Sequence, residues 1–168
     1  YDSNGDKIID LVYVIYAGYA QSMGGNKSTD IWPKSSFSYG EINIDGYTVG
    51  RYGVSNELNA NRTSPIKEGK VLKMINGIGL FCHEFSHTMG LPDFYPLTAE
   101  AQIDNQGMEY WDLMDGGEYT NNGYSPTPYT PWEKEVMGWT SLKTLKDSTI
   151  NVTLQPDDAW KIESDNSD

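Results

Sequence analysis

His83-Glu84-Phe85-Ser86-His87-Thr88-Met89-Gly90-Leu91-Pro92-Asp93 is the stretch that decides the fold. Residues four apart on a helix lie on one face, so the imidazoles of His83 and His87 can reach a single metal ion. Zinc suits two neutral imidazoles plus a carboxylate, with one position left open for water. Glu84 adjoins His83 and can act as general base on that water, whose pKa a zinc ion lowers towards ~7. Taken alone, the five-residue pattern also occurs by chance on helices that carry two half-exposed histidines and a solvated glutamate. It weighs more here because the chain has only two histidines and both lie in the pattern.

No histidine remains for a third ligand, so it must come from another side chain. Gly90 permits a turn that brings the chain back, and Asp93 stands where the long metzincin pattern has its third ligand, usually His. The rival arrangement supplies a glutamate from a later helix, and Glu109 is its candidate. Asp93 is favoured, since Gly90-Leu91-Pro92-Asp93 is built to turn and no second ligand-bearing helix is evident. Cys82 abuts His83, but its helical direction differs by about 100°, and a small buried cysteine is the commoner case. Downstream, Trp111-Asp112-Leu113-Met114-Asp115-Gly116-Gly117 offers a tight turn with Met114 as an apolar floor beneath the ion. Tyr119 and Tyr124 follow it, and a phenol near the metal can steady an oxyanion; Tyr119 is the candidate.

The eleven residues from His83 to Asp93, with Trp111-Asp112-Leu113-Met114 after them, resemble the immune-inhibitor-A-like family of secreted bacterial zinc metallopeptidases. Asp6 to Gly18, Asp30-Ile31-Trp32 and Trp132 to Trp139 are similar to that family too, in the same order along most of the chain. The resemblance implies that His83, His87 and Asp93 bind zinc, that Glu84 is the base and that Met114 forms the Met-turn. It also implies export, a removable pro-segment and extra C-terminal domains. Ser86 stands where glycine is common in the family, and Pro96 where an acidic residue is common.

The rest of the chain is read from pattern. Asp2, Asn4, Asp6 and Asp10 space oxygen ligands like a calcium loop, though Gly5 comes one place too early for an EF-hand and Tyr13 stands beyond it; the alternative is a polar turn before a strand. Leu11 to Ala17 is apolar, β-branched and aromatic, which predicts a buried central strand. Glu41–Ile44 and Tyr47–Tyr52 flank Asp45-Gly46, a hairpin signal. Tyr47–Tyr52 is the candidate edge strand for pairing with an extended substrate. Ser64-Pro65, with Glu68 in the first turns, predicts a helix from about Ile66 to Met89, weakened at Gly77 and Gly79 by a break or by close packing of another backbone. Pro131–Met137 predicts a helix ending at Gly138, and Leu142–Leu154 predicts short strands.

The expected architecture is α+β: a metzincin-like zinc peptidase domain, its twisted mixed sheet and active-site helix followed by an irregular C-terminal half. A single catalytic domain is expected over 1–168, with subdomains of about 1–90 and 91–168, cut from a longer precursor. Lys and Arg number 12 against 24 Asp and Glu, giving a formal net charge of −12, which disfavours nucleic acid as a partner. No apolar run reaches the ~18 residues of a membrane span. One cysteine excludes an internal disulfide. The expected protein is a secreted monomeric endopeptidase acting on peptides or proteins with Zn2+, and with Ca2+ if the first loop binds it. The rivals are a catalytically silent metal-bearing binding module and a zinc hydrolase of non-peptide amides.

Overall fold

The β-branched and aromatic run near the N-terminus forms strand β1 (Ile8–Tyr19), which lies parallel to the long strand β4 (Tyr47–Leu58). The structure is a computed structural model and describes residues 1–22, 28–59, 66–67, 70–71, 74–103, 107–146, 151–155 and 158–162. On its other side β4 pairs antiparallel with β2 (Lys34–Phe37) and β3 (Asn43–Ile44). The sheet is therefore mixed, in an α+β unit. The Asp45-Gly46 hairpin forms as expected, with φ of 50° and 83° at its two turn residues and Ile44 opposite Tyr47.

Two strand expectations are corrected. β1 is an outer strand of the described sheet, in the order β1-β4-β2, and its Val14 and Ile15 are exposed. Its apolar run signals one covered face rather than two: Tyr13 packs against Phe81 at 4.8 Å and Phe85 at 6.0 Å. Tyr47–Tyr52 is no edge, because β4 is central and is paired on both sides. The outer strand on that side is β2.

The helix expected from about Ile66 to Met89 is also corrected. Ile66–Lys67 (β5) and Lys70–Val71 (β6) pair as antiparallel strands, and Ile75 bridges Leu58 at the end of β4. Ser64-Pro65, Glu68 and Leu72 lie outside the described residues. The helix proper, α1, spans Gly79–Thr88. Backbone amides with sheet partners override a helix-compatible apolar spacing, as tertiary context commonly does. The weak points at Gly77 and Gly79 mark close backbone packing: a Cβ on Gly79 would overlap the carbonyl of Glu118, and one on Gly77 would overlap the backbone of Gly123. That approach fixes α1 against the loop carrying residues 116–123.

The end of α1 follows the sequence signal. Gly90 has φ +104°; its N–H donates to the His87 carbonyl at 3.0 Å, and the Leu91 N–H donates to the Ser86 carbonyl at 3.2 Å. This is a Schellman stop, and the positive φ favours glycine. Beyond it the chain carries a short helix α2 (Ala99–Ile103) and 3-10 turns at Glu109–Trp111 and Gly116–Gly123, which apolar periodicity could not reveal.

The chain divides into two compact units, Tyr1–Pro128 and Tyr129–Asp168. The second holds helix α3 (Pro131–Val136), opened by a reciprocal Thr130–Glu133 capping box and closed at Gly138 with φ 72°. It also holds the parallel pair β7 (Lys143–Leu145) and β8 (Trp160–Ile162). Of the strands expected over Leu142–Leu154, β7 is present, residues 147–150 lie outside the described residues, and 151–155 are not in a strand. Among the described residues no helix is long and apolar enough to cross a membrane.

Replacing Gly79 tests the close approach. Alanine favours a helix by ~1 kcal/mol over glycine, but its methyl meets backbone that cannot rotate away, at a cost of about 1–3 kcal/mol or more. Gly79→Ala is expected to lower the denaturant midpoint relative to wild type. An equal or higher midpoint would refute the packing argument.

Candidate metal centre

His83 and His87 lie one turn apart on α1, and the Schellman stop returns the chain so that Asp93 faces both. Asp93 Oδ1 is 3.2 Å from His83 Nε2 and 3.1 Å from His87 Nε2, and the two Nε2 atoms are 3.1 Å apart. Among the described residues this is the one group of three or more His, Cys, Asp or Glu side chains close enough to share an ion. Glu109, the rival third ligand, is not in it; its N–H donates to Asp115 Oδ2. Cys82 is not in it either, and burial raises its thiol pKa.

The far side of each imidazole fixes what the near side offers. His83 Nδ1 is 2.9 Å from the Leu113 carbonyl, and His87 Nδ1 is 2.7 Å from the Leu91 carbonyl. A carbonyl can only accept, so each Nδ1 carries the hydrogen and each neutral ring turns its Nε2 lone pair inward. Asp93 Oδ1 is buried without a hydrogen-bond donor of its own. Three lone pairs converging at 3.1–3.2 Å repel one another unless a proton or cation lies between them. Tetrahedral zinc with ligand distances of ~2.0–2.1 Å holds its donors ~3.3–3.4 Å apart, so this donor set and spacing fit zinc.

Charge in the centre is divided unevenly. Burial opposes an imidazolium at His83, but the Asp93 contact, followed by the Glu118 charge and the Leu113 carbonyl, carries its pKa up to about 9. His87 moves up too, against burial and chiefly through Asp93. Burial also disfavours the Asp93 carboxylate, yet contact with both imidazoles takes it well below the usual range. Glu84, 7% exposed, is pushed up to about 7 by burial, with the two histidines pulling the other way.

The Asp112–Met114 turn supplies the carbonyl that orients His83. Asp112 Oδ1 accepts from the Met114 N–H at 2.7 Å, and the Met114 carbonyl accepts from the Phe94 N–H at 2.9 Å, beside Asp93. Met114 is wholly buried. Burial and the neighbouring Glu118 charge raise the Tyr119 phenol pKa, and Tyr124 donates to the Ile75 carbonyl. Two neighbours were not singled out from sequence. The Tyr95 ring lies nearly parallel to His83, at 16° and 6.3 Å, and it followed Asp93 closely enough to be noticed. Glu118, buried with Oε2 3.9 Å from His83 Nδ1, had no local signal at all.

The first loop is held by hydrogen bonds of its own. Asp2 accepts from the N–H groups of Gly5, Asp6 and Lys7, Asp6 from Ile8, and Asp10 from Ser3, while Asn4 bonds Asp6. Asp2, Asp6 and Asp10 do not gather three carboxylates within ion-sharing distance. These bonds make the polar turn that precedes β1.

A cleft of about 300 Å3 opens beside the centre, lined by Ser35, Ser36, Phe37, Arg51, His87, Thr88 and Asp93. Its wall is therefore the outer strand β2.

The family model described as Immune inhibitor A peptidase M6, catalytic domain, matches residues 2–141. Immune inhibitor A from Bacillus thuringiensis subsp. alesti is 28% identical over 170 residues, covering 90% of this chain and 22% of that protein. The pre-pro-metalloprotease PrtV of Vibrio cholerae serotype O1 is 24% identical over 156 residues, covering 82% of this chain and 15% of that protein. The chain thus spans under a quarter of either relative.

Metal uptake should displace protons. With His83 held up at about 9 and His87 also raised, the metal-free centre is protonated at pH 7, so zinc affinity rises as pH is raised from 6 to 9. Calorimetry in buffers of different ionisation enthalpy is expected to show at least one proton released near pH 7. Affinity independent of pH, with no proton release, would refute the assignment, and His87→Ala should weaken uptake sharply.

Proposed function

Since the chain belongs to the Immune inhibitor A peptidase M6 family and so to the metallopeptidases, we propose that it is a zinc-dependent endopeptidase acting on peptide bonds of extracellular proteins. His83, His87 and Asp93 would hold the zinc, and Glu84 would be the general base. The observation that carries this reading is the triad of inward-facing Nε2, Nε2 and Oδ1 atoms with both Nδ1 atoms committed to backbone carbonyls. A metzincin-like arrangement is part of the proposal, supported by the buried Met114 turn beside His83 and by the Schellman stop before Asp93. Action outside the cell is likewise proposed, in keeping with a relative named as a pre-pro-metalloprotease.

When bound, zinc would supply Lewis acidity to a substrate carbonyl and to a water molecule. The chain's own residues supply the rest. Glu84, whose carboxyl burial pushes up to about 7 in the metal-free chain, can take a proton from the attacking water and deliver it to the leaving amine. Leu91 and Leu113 hold the imidazoles in register through their carbonyls. Tyr119, beside the Glu118 carboxylate, is the candidate phenol for steadying an oxyanion. The edge of β2, outermost among the described strands, is the proposed docking strand for an extended peptide, because Ser35, Ser36 and Phe37 border the cleft that reaches His87 and Asp93. Retention of Glu84 beside the triad favours turnover over a silent binding module.

Glu84→Gln keeps the size and removes the basic carboxylate. It is expected to lower kcat/KM on a peptide library by ~10²–10⁴-fold with zinc content unchanged. Full activity in that variant would remove Glu84 from the mechanism, and no cleavage by zinc-loaded wild type would favour the binding module.

A further inference from the structure

Arg51 is the one Lys or Arg side chain among the described residues that line the cleft. It lies on β4 directly opposite Phe37 of β2, and its guanidinium sits 4.9 Å over the Phe37 ring. One N–H donates to the Thr88 carbonyl in the last turn of α1. A guanidinium has five N–H donors in a rigid fork, and among the described residues no carboxylate forms an ion pair with Arg51. This stands out in a chain of net charge −12, where acids outnumber bases two to one. The phenyl ring below and the helix carbonyl behind restrain the group, so its orientation is largely set before a ligand arrives.

The surroundings say what it faces. His87 and Asp93 line the same cleft, and Ser35 and Ser36 form its wall on the outer strand. A peptide laid along β2 would carry one side chain towards Arg51 as its backbone passes the metal centre, since alternate side chains of a strand share a face. With Glu84, Asp93 and Glu118 all close to the centre, an acidic substrate side chain needs a cation to offset repulsion, and Arg51 is placed to be that cation. Resting on the peptidase reading above, we propose that Arg51 is a specificity-determining residue that receives an aspartate or glutamate side chain of the substrate close to the scissile bond. A guanidinium–carboxylate pair is two-pronged and charge-assisted, which gives geometric as well as electrostatic selection.

A purely structural role, holding Thr88, would affect all substrates alike. The test therefore reads a ratio. An end-blocked peptide library is cleaved by the zinc-loaded chain, and the position near the cut most enriched in acids is taken into two peptides differing only in Glu or Gln there. Wild type is expected to prefer the Glu peptide by about tenfold in kcat/KM, less at high salt. Arg51→Met should bring that ratio within about twofold, Arg51→Lys should retain part of it, and Arg51→Glu should turn the preference towards Gln. Cleavage by wild type without acidic enrichment, or a Glu preference that persists in Arg51→Met, would overturn the proposal and leave the peptidase reading standing. If wild type cuts neither peptide, the peptidase reading fails, and calorimetric binding of the same pair decides on Arg51. Tighter binding of the Glu peptide that is lost in Arg51→Met supports the role, and equal binding rejects it.

Discussion

Three lone pairs held 3.1–3.2 Å apart and pointed at one another are the constraint on which the rest of this unit depends. Nothing about α1 alone enforces it. The i, i+4 spacing brings His83 and His87 to one face, but each ring could still rotate and offer either nitrogen. The choice is made by two backbone carbonyls from outside the helix, Leu113 behind His83 and Leu91 behind His87. Each belongs to a turn that has its own reason to exist. Leu91 follows the glycine that ends the helix, and Leu113 lies inside a turn pinned by Asp112 and wholly buried at Met114. The Phe94 N–H bond to the Met114 carbonyl ties the two turns together. The geometry of the candidate metal centre is thus assembled from helix-stop and turn chemistry, with the sheet serving to seat the helix.

The same logic explains the small residues in front of α1. Gly77 and Gly79 let the start of the helix approach the backbone at Gly123 and Glu118 more closely than any side chain would permit. That contact brings residues 116–123 under the helix and sets Glu118 near His83. On its other face α1 lays Phe81 and Phe85 against Tyr13 of β1. The helix is therefore clamped between a sheet and a loop, and its short length is sufficient because neither end is free.

What could be read from sequence was what local chemistry dictates. His83, Glu84, His87 and Asp93 were legible because ligand spacing and a helix stop are written within eleven residues. The Asp45-Gly46 hairpin and the helix opening at Pro131 and ending at Gly138 were legible for the same reason, since turn and terminus preferences act over a few residues. The misreadings all concern neighbours distant in the chain. Leu11–Ala17 looked like a strand covered on both faces, but an apolar run does not say how many layers cover it. Tyr47–Tyr52 looked like an edge until β2 and β3 were seen to fold back onto it. Apolar spacing from Ile66 onward suited a helix, but pairing between Ile75 and Leu58 required extended chain. Glu118 and the Leu113 carbonyl reach the site only through tertiary packing, and a carbonyl has no sequence signature.

The two carboxylates nearest the histidines show how one environment can assign opposite tasks. Both Glu84 and Asp93 are partly or largely buried, and burial alone would raise both pKa values. Asp93 goes the other way because its Oδ1 touches both Nε2 atoms, and direct contact outweighs desolvation. Glu84 feels the same imidazoles only through space, so desolvation wins and its carboxyl comes to rest at about 7. In the metal-free chain one acid is thereby kept ionised, and the other is left able to gain or lose a proton near neutrality. Divergence between neighbouring titratable groups is how a site separates an ion-holding role from a proton-carrying one. Here the separation comes from which carboxylate the Gly90 turn delivers into contact. The helix stop, more than the helix, therefore decides the chemistry of the centre.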